Sequence, residues 1–337
     1  MAELLLELYS EEIPPQLQIG ARNQLKEFVE KPLKEDNIKY KDLLVYSSPT
    51  RLTLLIKDLA EKIKIEAKEV KGPKVGSPDQ VLQGFIKAKS VSEKDLIEKE
   101  TEKGKFFFIK TQPQVILTEE LLKKIVPKAI GSINWKRSMR WSDHNLMWGR
   151  PLRSIFARFN NNKLLFKFDH LETNDEVIIE QDLIIKTKKI KNFAEYLAFL
   201  KSHEIIVDHE EREKIILKKI NSVAKSKQYK EHLNPKLLEE VVNIVEDPNL
   251  LLVNFNKDYL KIPQEIIIST LEKNQRYFPI FDSRDRLTNY FFVIANKKDE
   301  KKLITVGNKR VVEARLADAK FFWDKDRSKN LIKQIGN

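Results

Sequence analysis

The sequence predicts an α+β, multidomain protein in which mixed antiparallel sheets are packed with helices. Three observations lead to this prediction. The chain has 337 residues, enough for two or three domains with substantial cores. Short apolar runs typical of strands and longer runs with helical spacing both recur along it. There is no repeat at a solenoid period and no low-complexity tail.

The N-terminal region is predicted to combine a helix with three strands. Strands are expected at 3–9, 43–46 and 51–56. A helix is expected at 16–34, because Pro14 and Pro15 end the first strand and proline is tolerated in a first helical turn. A turn at 47–50 joins the second and third strands, which gives a hairpin-like unit.

The rest of the chain is predicted to continue as mixed elements. Helices are expected at 80–89, at 117–130 and, as a pair, across 193–230. Strands are expected at 106–109, within 141–159, in a hairpin at 164–186, and at 250–253, 266–268 and 291–294. The Gly/Pro segment 71–76 is expected to be a loop.

Residues 307–326 predict a capped amphipathic helix. Gly307 interrupts the preceding segment, and the side chain of Asn308 can accept a hydrogen bond from a free amide of the first turn. The expected buried face, spaced by four, three and four residues, consists of Val312, Leu316, Ala319 and Trp323. Arg315 and Asp318 are three residues apart and can pair along the helix surface.

The composition is that of a soluble globular protein with an excess of positive charge. Hydrophobic residues make up 41% and charged residues 33%, and no apolar run approaches the roughly 18 residues of a membrane span. The net charge of +12 suits a polyanionic partner, with nucleic acid the first candidate. The alternative is a lysine-rich composition without such a role. The N-terminus carries acids where a signal peptide carries bases, so a cytoplasmic protein without a membrane partner is expected.

The sequence offers no catalytic or metal-binding motif. It has no cysteine, which excludes disulfides, thiolate metal sites and cysteine nucleophiles. Glycine-rich nucleotide-binding loops and a serine nucleophile elbow are absent. The five histidines do not lie at metal-ligand spacing, so no metal site is predicted. The adjacent acids Glu11 and Glu12 are expected to favour a helix dipole and not to act in acid–base catalysis.

The best combination of basic and aromatic residues lies between Ser138 and Arg153. Arg140 and Trp141 stand at its start, and Arg150 lies near its end. Arginine beside aromatic rings is the chemistry of single-stranded RNA contact, with rings stacked on bases and charge on phosphates. The alternative is that the tryptophans pack against a sheet while the arginines are solvated or ion-paired.

Several segments together resemble one known family. Within 307–326, the order Gly-Asn-x-Arg-Val-x-x-Ala-Arg-Leu-x-Asp-Ala-x-Phe-Phe resembles the signature of the beta subunit of bacterial tetrameric glycyl-tRNA synthetase. Further motif matches lie at 11–15, 71–73, 138–153 and 275–279. The residues taken as structural parts of these motifs are Glu11, Glu12, Pro14, Gly72, Pro73, Asp318 and Phe322. The chain departs from the family at Thr50, where arginine is usual, and at 178–183, where a Gly-His-Arg-Phe segment is usual.

The resemblance implies the N-terminal half of such a beta subunit, which acts by binding and carries no catalytic residue. In that family the alpha subunit holds the class II catalytic core and uses ATP with Mg, so no cofactor is expected on this chain. The implied partners are the alpha subunit, in an α2β2 tetramer, and tRNA-Gly. The expected domains are an N-terminal α+β domain (1–190), a helical segment followed by a strand-rich region similar to the B3/B4 domain of phenylalanyl-tRNA synthetase (191–300), and a junction helix (301–337).

The resemblance also selects candidate contact residues. The candidates for tRNA or intersubunit contact are Arg140, Trp141, Arg150, Arg153, Lys309, Arg310 and Arg315. Two alternatives remain open. One is an editing-type module that binds aminoacyl-tRNA. The other is a truncated or split-gene fragment that is inactive alone, because 331–337 stops within what should be a continuing helix.

Overall fold

A computed structural model describes residues 2–65, 69–89, 92–101, 104–110 and 114–328. These residues form helices and several mostly antiparallel sheets, which confirms the predicted α+β class. Among the described residues, the helices all lack the combination of length and hydrophobicity that a membrane-spanning helix needs. The expected B3/B4-like region and the boundaries at 190 and 300 stay predictions, and the segment 331–337 lies outside the described residues.

The strands and α-helices have the following bounds. The strands are β1 (Ala2–Ser10), β2 (Asp42–Ser48), β3 (Arg51–Leu59), β4 (Lys62–Ile65), β5 (Glu69–Lys74), β6 (Leu96–Thr101), β7 (Gly104–Lys110), β8 (Gln114–Leu117), β9 (Leu152–Phe159), β10 (Asn162–Lys163), β11 (Lys167–Phe168), β12 (Leu171–Asn174), β13 (Glu176–Gln181), β14 (Ile184–Lys189), β15 (Lys230–Glu231), β16 (Asn249–Asn254), β17 (Phe278–Phe281) and β18 (Leu287–Ala295). The helices are α1 (Pro15–Glu35), α2 (Asp79–Lys89), α3 (Thr118–Ser132), α4 (Phe193–Lys201), α5 (His209–Lys227), α6 (Pro235–Val242), α7 (Gln264–Ser269) and α8 (Leu303–Ser328).

The largest sheet is built around β1 and is covered on both faces. Its order is β11-β12-β9-β1-β3-β2, with β10 also paired to β9. Successive residues of a strand point to opposite faces, so Leu4 and Leu6 pack with α1 and α3 while Leu5 packs with Tyr196 and Phe199 of α4. This double burial explains why the first strand is a nearly continuous apolar run.

A second, four-stranded sheet follows the same principle. Its order is β15-β17-β18-β16. Phe292 packs with Ile216 of α5 and with α6, whereas its neighbour Phe291 packs with Val312 and Leu316 of α8. The predicted apolar face of 307–326 is therefore confirmed, because Ala319 and Trp323 are partly buried and pack against the same cluster.

The start of the last helix differs from the prediction. The helix begins at Leu303, so Gly307 lies inside it and nothing lies within 4 Å of a Cβ placed there. Asp299 accepts hydrogen bonds from the amides of Ile304 and Thr305 at 2.9 and 2.7 Å. Asn308 accepts a hydrogen bond from a tyrosine instead of capping the helix. The side chain of Asp299, four residues before Leu303, therefore sets the start of the helix, and the Gly-Asn pair does not.

Four other local predictions are wrong, the last of them in part. The segment 266–268 lies in α7 and not in a strand, since Pro263 precedes a helical start and Ile267 is buried by packing. The Gly/Pro segment 71–76 is mostly β5, which pairs with β7. The single hairpin expected at 164–186 is two hairpins, β11–β12 and β13–β14. Within the turn predicted at 47–50, the first two residues belong to β2.

Candidate functional site

Two of the motif segments, 11–15 and 138–153, meet the segment around Thr50 at one end of the large sheet. The amide of Ser10 donates to the carbonyl of Thr50 at 2.8 Å, and the amide of Glu11 donates to that of Pro151 at 2.9 Å. The strand registers enforce this meeting, because Tyr9 is paired with Arg51 on one side and with Ser154 on the other. Segments separated by 40 and 100 residues in sequence therefore form one continuous surface.

Arg51, which directly follows the departure from the family at Thr50, is buried beneath this surface. It is 1% exposed and donates to Glu7 at 2.8 Å and to the carbonyl of Ile178 at 2.5 Å. Tyr196 donates to the same carboxylate at 2.5 Å. Burial opposes the charge of Arg51, but the carboxylate of Glu7 outweighs it and raises the arginine pKa. This arginine is a structural cation that cannot reach a phosphate.

Arg153 lies on the surface of the same sheet end and is committed to local ion pairs. It donates to Glu180 and lies 3.4 Å from a carboxylate oxygen of Glu11. The hydrogen bond to Glu180 raises the pKa of Arg153. Its guanidinium lies 5.7 Å from the ring centroid of Tyr9. Among the predicted contact residues, Arg153 therefore has the positive charge that nearby carboxylates neutralise most.

A cleft of about 740 Å³ opens beside this sheet end, between the β13–β14 hairpin and the start of α8. Its carboxylates outnumber its basic side chains and are Glu12, Glu180, Asp182, Glu204, Glu246, Asp299 and Glu300. Lys297 and Lys298 also line it, and each is paired at 2.5 Å with one of these acids. The cleft is therefore acidic, which disfavours phosphate and favours cationic groups.

The basic–aromatic segment lies in an irregular loop whose base is fixed in the core. Met139 and Trp148 exchange backbone hydrogen bonds of 2.8 and 3.2 Å. Trp148 is buried, donates to Ser10 at 3.2 Å and packs against Trp135, with ring centroids 4.8 Å apart. Gly149 is required here, because a Cβ would lie 2.6 Å from the Trp135 ring. For Trp148, the alternative that the tryptophan packs in the core and does not contact RNA is therefore correct.

The start of this loop is different, because its charges are free. Lys136, Arg137 and Arg140 are exposed, and none of them forms an ion pair within the described residues. Trp141 is half-buried and borders the main core. Arg150 is half-buried and donates to the carbonyl of Gly149 at 2.8 Å. The loop therefore presents three cations beside one partly accessible indole.

The predicted residues on α8 lie on its solvent side. Lys309 is 3.9 Å from Glu313. Arg310 and Arg315 are exposed, and neither forms an ion pair in the described part of the chain. The predicted pair of Arg315 with Asp318 does not form. The ion pairs within the described part of this helix are Lys309–Glu313 and Lys320–Asp324. These residues are not brought together with Arg140.

The remaining motif residues have structural positions. Glu12 is exposed at the cleft, and Pro14 directly precedes α1. Gly72 makes room for an aromatic ring, since a Cβ would lie 2.7 Å from Phe85, and Pro73 lies where the β5–β7 register shifts. Phe322 is 59% exposed.

Sequence reasoning missed a second buried arginine, Arg212. It donates to four backbone carbonyls, at 2.6–3.1 Å, which belong to Ser47, Ile206, Val207 and Val242. Burial lowers its pKa to about 10. A signal was available, because Arg212 precedes Ile216 and Ile220 at four-residue spacing and so falls on the apolar stripe of α5.

Comparison with known proteins gives a consistent result. A family model described as "Glycyl-tRNA synthetase beta subunit" matches residues 4–337. The glycine--tRNA ligase beta subunit of Rickettsia typhi is 34% identical over 332 residues, which cover 98% of this chain and 50% of that protein. Those of Rickettsia felis and Desulforamulus reducens are each 31% identical, over 100% and 99% of this chain and 51% and 49% of their own lengths. The chain thus spans about half the length of the curated relatives it matches.

Proposed function

Since this chain belongs to the glycyl-tRNA synthetase beta subunit family, we propose that it is a non-catalytic tRNA-binding and assembly part of glycine–tRNA ligase. In this proposal it works in the cytoplasm within an α2β2 enzyme. The alpha subunit carries the class II active site and attaches glycine to tRNA-Gly with ATP and Mg. This chain contributes binding surfaces and no reacting group.

The free cations at the start of the basic–aromatic loop support the tRNA role. Lys136, Arg137 and Arg140 are exposed cations on the sequence side that precedes Trp141, and none of them forms an ion pair with a carboxylate of the described residues. A cation that is free in the protein releases counterions from RNA when it meets a phosphate, and this drives binding. The indole adds a surface on which a base can stack.

The acidic cleft supports the assembly role. A triphosphate does not fit its carboxylate lining, which is consistent with ATP being used on the alpha subunit. Glu12 and Glu300 line the cleft and form no ion pair in the described part of the chain. We assign them to cationic side chains of a protein partner, because opposite charge across an interface steers association and fixes its register.

The tRNA role is tested with the double variant Arg137→Ala/Arg140→Ala. Binding of tRNA-Gly is measured over a series of salt concentrations. We expect a weaker affinity and a salt slope reduced by about 1 for each lost phosphate contact. Arg284→Ala is the matched control, since Arg284 is also exposed and lies away from the loop, in the β17–β18 turn. An unchanged affinity and slope would remove the RNA assignment.

The assembly role is tested with Glu12→Lys/Glu300→Lys. We expect slower association with the alpha subunit and a reversed dependence of the association rate on salt. Glu98→Lys is the control, because Glu98 is an exposed acid on β6, remote in sequence from the cleft lining. The proposal fails if the double variant associates as rapidly as the control.

A further inference from the structure

Two histidines that are distant in sequence meet beside Trp141. His144 belongs to the basic–aromatic loop, and His170 lies in the turn between β11 and β12. Their rings are stacked, with centroids 3.6 Å apart and planes within 1° of parallel. Trp141 meets both rings edge-on, at centroid distances of 6.4 and 6.0 Å. Tertiary folding, and not chain spacing, brings these imidazoles together.

Asp169 completes a group of three metal-ligating side chains. His144, Asp169 and His170 each offer one ligand atom, and these atoms all lie within 4.8 Å of one another. The Asp169 carboxylate is 2.9 Å from Nδ1 of His170, so it already faces that ring. Both histidines are half-buried and Asp169 is exposed, which leaves one side of the group accessible to solvent.

We propose that His144, Asp169 and His170 bind a transition-metal cation such as Zn²⁺, with water as a further ligand. Two imidazole nitrogens and one carboxylate oxygen suit Zn²⁺, Co²⁺ and Ni²⁺, whereas Mg²⁺ and Ca²⁺ prefer oxygen ligands. Ligand atoms lie about 2.0–2.2 Å from Zn²⁺. The three side chains therefore need to draw together by roughly 1 Å.

Binding also requires one imidazole to leave the stack. The lone pair of a ring nitrogen lies in the ring plane, and one ion cannot lie in two parallel planes. His144 is the ring that can turn, because it sits in an irregular loop next to the exposed residues Ser142 and Asp143. The ion then ties this loop to the β11–β12 turn and fixes Trp141 between them. This inference does not rest on the proposed tRNA role.

The test uses the full chain without a histidine tag, after treatment with a chelator. Titration with Co²⁺ is expected to give visible d–d absorption at one ion per chain, which Zn²⁺ displaces and excess Mg²⁺ does not. His144→Ala and His170→Ala are expected to weaken Zn²⁺ binding by more than the roughly 10–100-fold that follows loss of a residue outside the ligand shell. Asp169→Asn keeps the side-chain shape and is expected to weaken binding as well.

The matched control is His232→Ala. His232 also pairs with a carboxylate, Asp285, at 3.1 Å, but within the described residues it belongs to no group of three ligands. Its replacement should leave Zn²⁺ affinity unchanged. In the wild type, Zn²⁺ should also slow amide hydrogen exchange across 141–149, and this effect should vanish in His170→Ala. Absence of Co²⁺ absorption in the wild type, or equal Zn²⁺ affinity in the His144 and His232 variants, would overturn the proposal.

Discussion

The buried arginines and the exposed basic loop use the same side chain in opposite ways. Arg51 and Arg212 are 1% and 0% exposed and are surrounded by Glu7 or by backbone carbonyls. Arg140 is exposed and forms no ion pair within the described residues. An arginine in a family motif is thus not by itself a candidate for nucleic-acid contact. What matters is whether its donors are already used inside the protein.

The largest expected effect follows from breaking the buried ion pair with Arg51→Met. The substitution leaves the carboxylate of Glu7 buried without its cation, which should lower the free energy of unfolding by about 3–5 kcal/mol. Urea denaturation measures this loss. Arg153→Met breaks a pair at the surface and should cost less than about 1 kcal/mol. Similar losses in the two variants would contradict the distinction between buried and exposed arginines.

The next effect is expected from Arg212→Met. Methionine fills a similar volume but leaves buried carbonyls, among them that of Val242, without a donor. We expect a loss of roughly 3 kcal/mol, because unsatisfied buried acceptors are costly. Arg284→Met serves as the surface control and should change stability by less than about 0.5 kcal/mol. If the urea midpoint of Arg212→Met equals that of the wild type, the hydrogen bonds of Arg212 do not stabilise the fold.

A smaller effect concerns pH and the same buried cluster. Burial, together with the positive charges of Arg22 and Arg212, lowers the pKa of His209 to about 4, although the carboxylate of Asp208 opposes this shift. The unfolded chain binds a proton on this residue below a pH of about 6.5, while the folded chain does not until about pH 4. Stability should therefore fall as pH decreases through this window. The free energy of unfolding, measured at both ends of this pH window, should fall less for His209→Gln than for the wild type. An equal fall would show that His209 does not cause the pH dependence.

The smallest effect on stability is expected for Arg140→Ala. Because the side chain is exposed and unpaired within the described residues, the free energy of unfolding should change by less than about 0.5 kcal/mol. The affinity of the Arg140→Ala variant for tRNA-Gly should nevertheless be lower than that of the wild type. A thermal shift assay combined with the binding measurement separates the two effects. A clear loss of stability would place Arg140 with the structural arginines.

Local patterns predicted the elements that are buried on defined faces. The four-residue spacing of Val312 and Leu316 identified the core face of α8, since a helix repeats about every 3.6 residues whatever it packs against. The same patterns failed at Ile267, where three consecutive isoleucines suit a strand but lie in a helix. Short apolar runs do not distinguish the two, and the surrounding core decides.

The candidate sites were less accessible to sequence reasoning. The free charge of Arg140 and the committed charge of Arg153 look alike in sequence, because the acids that neutralise Arg153 are distant in the chain, at Glu11 and Glu180. His144 and His170 are likewise too far apart for any motif of metal ligands.

The sequence by itself determined the α+β class, most elements and the family to which the chain belongs. These depend on short-range periodicity and on residue order, both of which can be read along the chain. Only the tertiary structure decided which arginines are free, where the acidic cleft opens and that His144, Asp169 and His170 meet. Charge pairing and ligand geometry act over a few ångströms in space. At the sheet end that holds Arg51 and Arg153, the antiparallel registers of β1 with β3 and β9 set those distances.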